Sequence, residues 1–249
     1  MGTWQAATVV AVHDETARAR TLRLALARPE PHLAGQHYVV RLRAPDGYTA
    51  QRSYSVASAP PAAPATSPSL AAPAPVGSGI IDLTVERLDH GEVSVYLHDV
   101  VEVGDELEVR GPIGGWFVWR GDTPALLVGG GSGIVPLMSM LRLARRTGRS
   151  DLVHVIVSVR SPADLYYDDE LPGPEVTVVY TREAPPPDGV DPARPPGRLT
   201  ASDLAGVVRP ELTAYVCGSA RFADAASRLV VEAGVPVQAV RVERFGPTG

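Results

Sequence analysis

Near residue 120 the periodicity of the chain changes, and that change limits the fold more than any other feature. Before it, apolar residues recur at every second position: Leu22, Leu24 and Leu26; Tyr38, Val40 and Leu42; Ile81, Leu83 and Val85. Leu107 and Val109 add a shorter case. Such runs, parted by Gly, Pro and Asp turns, predict a small antiparallel barrel or sandwich. After it, the short apolar run at residues 125–128 reads as a strand buried on both faces, and residues 152–159, 177–181, 214–217 and 240–245 are further strand candidates. Residues 134–146 and 220–233 between them carry helical spacing, with Ile134, Leu137, Met138 and Leu141 on one face. Strand–helix alternation implies a parallel, doubly wound α/β sheet. The expected organisation is therefore an antiparallel β-barrel domain over residues 1–120 and an α/β domain over 121–249.

No charge lies between Asp122 and Arg142, a length that would suffice for a membrane span. Yet Gly129, Gly130, Gly131 and Gly133 crowd its middle and Pro136 follows, so a buried strand, a glycine turn and a helix are expected and no membrane. The net charge of −5 argues against a nucleic-acid coat. Cys217 is the only cysteine, which excludes an intrachain disulfide and a cysteine-ligated iron–sulfur cluster. A reducing, cytoplasmic setting is the natural expectation, and residues 1–10 show no basic region followed by an apolar run. Six scattered histidines suggest no metal site. Residues 60–79, almost all Ala, Pro, Ser and Gly, read as a flexible surface insertion, and 185–196 as a second proline-rich loop.

Three segments carry candidate chemistry. Gly129, Gly130, Gly131, Ser132 and Gly133 follow a buried strand and open a helix, where backbone N–H groups can approach a pyrophosphate. Alone, the pentapeptide reads as a dinucleotide loop, with an ordinary strand–helix turn as the alternative. Arg52, Ser53, Tyr54 and Ser55 offer a phosphate partner, a flat ring and hydroxyls along an extended strand, or simply a polar strand end. Cys217 and Gly218 close a parallel strand at the end where open α/β sheets bind ligands, though a cysteine there is as readily a small core residue.

Taken in order, Arg52-Ser-Tyr-Ser55, Gly91-x-x-Ser94-x-x-Leu97, Gly111-Pro-x-Gly114, Gly129-Gly-Gly-Ser-Gly133, Cys217-Gly218 and Glu243-Arg-Phe245 resemble the ferredoxin–NADP⁺ reductase superfamily over almost the whole chain. The resemblance implies a flavin-binding barrel followed by a nucleotide-binding α/β domain. It places Arg52 on a flavin phosphate, Tyr54 on the isoalloxazine with Ser53 beside it in the motif, and Ser55 near flavin N5. Gly91, Val93 and Ser94 would start a helix on the flavin pyrophosphate, with a plain N-cap as the compatible alternative for Ser94. The glycines at 129–133 would take the pyrophosphate of the nicotinamide dinucleotide. Cys217 and Gly218 would lie beside the nicotinamide, and Glu243 and Phe245 would approach both rings. Ser55, Cys217 and Glu243 are thus the residues expected nearest the chemistry. Residues 246–249 continue past Phe245, whereas plant-type members end on a tyrosine.

Ser158 and Arg160 follow the next strand; an arginine suits a 2′-phosphate where an acid would suit the ribose hydroxyls, so NADPH is expected over NADH. Arg182 and Arg198 either add to that phosphate site or are solvated charges. The expected activity is hydride transfer from NADPH to FAD, with electrons passed to a separate ferredoxin or oxygenase component. A free-flavin or quinone reductase, or a non-catalytic electron-transfer subunit, are the alternatives.

Overall fold

A computed structural model describes residues 3–61, 79–183, 195–209 and 211–246. The insertion expected at 60–79 and the proline-rich loop expected at 185–196 fall almost wholly outside the described residues. The chain forms two compact units, Met1–Val118 and Trp119–Gly249.

The first unit holds β1 (Gln5–Thr16), β2 (Ala19–Leu26), β3 (His37–Arg43), β4 (Thr49–Ser55), β5 (Ile80–Glu86), helix α1 (Glu92–Asp99) and β6 (Glu106–Ile113). Its antiparallel sheet runs β4-β3-β6-β1-β2-β5. A bridge between Val56 and Leu83, with Ala57 N–H donating to the Asp82 carbonyl at 2.8 Å, joins the two ends of that order. The sheet therefore closes at that point into the expected barrel. Alternation fills the interior: Val9, Leu22, Leu24, Tyr38, Val40, Ile81, Leu83, Val85 and Val109 are almost fully buried, and Val93 and Leu97 of α1 join the same core. Each such aliphatic side chain contributes about 1.5–3 kcal/mol on leaving water.

The second unit holds β7 (Ala125–Gly130), α2 (Ile134–Arg146), β8 (Val153–Val159), β9 (Val176–Tyr180), α3 (Ala201–Leu204), β10 (Thr213–Ser219), α4 (Ala220–Glu232) and β11 (Val240–Phe245). All its ladders are parallel, in the order β11-β10-β7-β8-β9. Strands β8 and β10 flank β7 on opposite sides, so strand addition reverses between β7 and β10. Leu126, Val128, Ala214 and Val216 meet Ala223, Ala226 and Val230 of α4 in one core. Residues of the other parity are covered from α2, whose Ile134 and Leu137 lie against Gly129. The charge-free stretch at 122–142 is β7, its turn and α2, and Pro136 sits in the first helical turn, where its missing N–H costs nothing. Among the described residues, no helix is long and apolar enough to cross a membrane.

Candidate functional site

In the first unit the candidate residues gather where β4 meets the start of α1. The pleat puts Arg52 and Tyr54 on one face of β4, opposite Val40 and Tyr38 in the register, and Ser53 and Ser55 on the other. Arg52 and Ser53 are exposed, Tyr54 is half-buried against the barrel core and Ser55 is buried. The Arg52 guanidinium donates to the Gln51 carbonyl at 2.8 Å, and the side chain is exposed. Burial pushes the Tyr54 phenol well above its ordinary range, with Arg52 pulling weakly the other way, so the ring stays neutral. Tyr48, just before β4, donates from its hydroxyl to the Glu92 carboxylate at 3.0 Å and ties this strand to the helix start.

Gly91 is the N-cap of α1, in an extended conformation and without a side-chain cap bond. Ser94 is therefore not the cap, which corrects that alternative: it lies in the first turn, where its hydroxyl donates to the Gly91 carbonyl at 3.0 Å and accepts from Leu88 N–H at 3.2 Å. A Cβ on Gly91 would sit 2.4 Å from that oxygen, so glycine is what lets the buried serine brace the loop. The opening N–H groups of a helix have no intrahelical acceptor and carry its positive end, so this corner fits an anion. Glu92 is an acid in that first turn, and its bond from Tyr48 turns it to a local use.

In the second unit the site lies at the carboxyl ends of β7 and β10. Each glycine of the turn has its own reason. Gly129 abuts Ile134 and Leu137; Gly130 faces the Phe222 ring; Gly131 has φ +55° and open space around it; Gly133 presses on the Cys217 carbonyl. Together they let a 3-10 turn over Gly131–Gly133 lead straight into α2. Ser132 in this turn is half-exposed.

Cys217 is fully buried and stands level with Gly129 on one side and Glu243 on the other. Burial, and next the neighbouring Glu243 carboxylate, push its thiol well above the usual range, against a smaller pull from the Gly218 backbone. Burial also raises Glu243 to about 7, and its Oε2 is enclosed with no hydrogen-bond partner among the described residues. Phe245 is half-buried and level with Ser219. Ser158 is nearly buried beside Gly130, while Arg160 is exposed. The Arg160 carbonyl accepts from Arg182 N–H at 2.9 Å, so two arginines from separate strand ends lie side by side.

Sequence reasoning missed Tyr48, Glu92 and Phe222. Their only trace is a residue type beside a motif, because Tyr48 and Glu92 meet across 44 residues and Phe222 meets Gly130 across 92. Among the described residues no group of three or more His, Cys, Asp or Glu side chains is placed to hold a metal.

Residues 127–228 match the family of the oxidoreductase NAD-binding domain. The chain is 32% identical over 255 aligned residues to the ferredoxin–NAD(P)⁺ reductase component of naphthalene 1,2-dioxygenase/salicylate 5-hydroxylase systems from a Ralstonia species, covering 97% of this chain and 69% of that protein. It is also 32% identical to the reductase component of propane 2-monooxygenase from Rhodococcus jostii, covering 67% of this chain and 48% of that protein, so it spans about half of this second relative. In fold it resembles the flavohem-like FAD/NAD binding domain of nitric oxide dioxygenase from Vibrio cholerae, with a TM-score of 0.77 at 21% identity, covering 98% of this chain and 99% of that one. Barrel, parallel sheet, glycine turn and this near-complete alignment agree: the chain belongs to the ferredoxin–NADP⁺ reductase superfamily of oxidoreductases.

Proposed function

We propose that this chain moves reducing equivalents from NADPH to a non-covalently held FAD, and from there to a separate acceptor protein. The observation that carries the reading is the glycine turn at the reversal point of the parallel sheet, in a chain that aligns over 97% of its length with a ferredoxin–NAD(P)⁺ reductase component. When bound, FAD would supply the redox chemistry, accepting two electrons at once and releasing them singly.

The protein's own share is binding and placement. Arg52 would pair with a flavin phosphate and Tyr54 would offer its neutral ring to the flavin, with Ser53 and Ser55 at the end of the same strand. The α1 start at Gly91, Val93 and Ser94 fits the pyrophosphate. In the second unit, Gly129 to Gly133 would bring backbone N–H groups to the dinucleotide pyrophosphate, where no Cβ intrudes. Cys217 would border the nicotinamide with Gly218, as a neutral thiol rather than a nucleophile, since its proton is held tightly. Glu243, raised to about 7, is able to hold or release a proton near neutrality, and Phe245 would flank it. Arg160 and Arg182, with Ser158, would read the 2′-phosphate and favour NADPH over NADH.

The relatives' names associate them with oxygenase systems, so the acceptor we assign is a ferredoxin or an oxygenase component; the single cysteine is the ground on which we assign a reducing, cytoplasmic setting. Flavin released by heating the purified protein should chromatograph as FAD, and the holoprotein should oxidise NADPH in the presence of a ferredoxin. Release of FMN would overturn the cofactor assignment. Turnover with quinones or free flavin but no ferredoxin would replace the acceptor.

A further inference from the structure

The ring of Phe222 lies across the last rungs of β7 and β10. A Cβ built on Gly130 would sit 2.6 Å from its Cγ and Cδ1 and 2.8 Å from its Cδ2, and one on Gly218 would sit 2.7 Å from its Cδ1. Gly129 and Cys217 stand level in the ladder, so the next residues, Gly130 at the end of β7 and Gly218 one residue before the end of β10, are neighbours. Two glycines of adjacent strands therefore give their side-chain volumes to one aromatic ring.

The ring is held from α4. Ser219 caps that helix by accepting from Phe222 N–H at 3.4 Å, and Ala223 and Ala226 behind it are packed in the core. Phe222 itself is half-buried and packs against that core from its rim. It stands at the carboxyl-end crevice where strand addition reverses, which is where open α/β sheets take their ligands.

We propose that Phe222 is a positioning residue for the nicotinamide dinucleotide: by filling the Cβ volumes of Gly130 and Gly218 it fixes the spacing of their backbones at the mouth of the crevice. This rests on the reading of the second unit as the dinucleotide-binding domain. A smaller side chain would free the ends of β7 and β10 to shift, which weakens ground-state and transition-state binding alike. Such a loss raises KM and leaves kcat in place.

Holoprotein variants Phe222→Ala, Phe222→Tyr, Gly130→Ala and the double variant Gly130→Ala/Phe222→Ala test this by spectral titration with NADP⁺ and by steady-state kinetics. Phe222→Ala should raise Kd for NADP⁺ and KM for NADPH together by about tenfold, with kcat changed by no more than about twofold. Flavin content should stay the same, and Phe222→Tyr should restore binding. Gly130→Ala should weaken binding strongly beside the native ring and much less in the double variant, because removing the ring gives the new methyl room. Phe222→Leu, which keeps α4 packed, stands in should the alanine variant fail to fold. An unchanged Kd, strictly additive effects in the double variant, or kcat falling in step with flavin loss would each overturn the assignment. If the wild type itself binds neither NADP⁺ nor NAD⁺, the dinucleotide reading of the unit fails and takes this one with it. If the wild type binds and Phe222→Ala binds equally well, the role of Phe222 alone fails.

Discussion

Gly133 rests directly on the Cys217 carbonyl: a Cβ built there would lie 2.1 Å from the oxygen and 2.4 Å from the carbon. The obstacle is backbone, so it cannot swing aside as a side chain would. This contact joins the turn before α2 to the end of β10, and it makes the two segments one structural object.

Two alanine substitutions in this turn should differ for that reason. Gly133 has φ −62°, an ordinary helical value, so Gly133→Ala fails by collision alone and should cost about 3 kcal/mol of stability or more. Gly131 has φ +55° and nothing near its Cβ position, so Gly131→Ala should cost only about 1 kcal/mol, from the left-handed backbone. Urea denaturation midpoints rank the pair, and equal losses would mean the turn relaxes around the added methyl.

Arg52→Ala should weaken flavin binding with little effect on folding, because this exposed side chain bonds within the fold to nothing more distant than the neighbouring Gln51 carbonyl among the described residues. A charge-assisted bond to phosphate is worth about 1.5–3 kcal/mol, so the flavin Kd should rise roughly ten- to a hundredfold. Titration of the deflavinated protein with FAD measures this, beside a melting curve that should not move.

Coenzyme choice tests the arginine pair at the ends of β8 and β9. Arg160→Ala should lower kcat/KM for NADPH by roughly ten- to a hundredfold and leave NADH nearly untouched, since NADH has no 2′-phosphate. Arg182→Ala should act in the same direction, and Ser158→Ala more weakly. Stopped-flow flavin reduction with each nucleotide separates this from a general loss. A wild type that already prefers NADH would contradict the expectation before any variant is made.

Glu243 gives a pH-dependent prediction. Burial raises its pKa from 4.5 to about 7, so the folded chain holds this proton more tightly than the unfolded chain does. The group therefore costs the fold nothing below about pH 4.5, where it is protonated in both states, and lowers stability progressively as the pH rises to about 7, above which the cost is constant. Glu243→Gln, neutral throughout, should melt higher than the wild type at about pH 8 and at nearly the same temperature at about pH 4. A gap of equal size at both values would show that packing, not charge, separates the two proteins.

Much of this architecture was open to sequence reading where local pattern and tertiary packing agree. Helix α2 begins and ends at the residues its spacing predicts, and β11 does likewise. Strand β1 was not legible, because adjacent apolar pairs such as Val9 and Val10 blur its alternation and a register shift between Val9 and Ala11 breaks it. Ser94 was legible as part of a helix start but not as its internal brace, which depends on Leu88 folding back over it. Phe222 carried no signal of its own: what marks it is the absence of side chains on Gly130 and Gly218, which only the folded sheet brings together.

The way the barrel closes has a further consequence for how the chain can be cut. Residues 62–78 connect two points that are already fastened, since Val56 bridges to Leu83 and Leu26 N–H donates to the Gly79 carbonyl at 2.8 Å. The β1–β6, β2–β5 and β3–β6 ladders each unite a strand before that segment with one after it. A protease that severs the chain between residues 62 and 78 should therefore yield two fragments on a denaturing gel and a single particle on a native column. Continuity of the polypeptide is dispensable at that point, because the strands themselves are the joint.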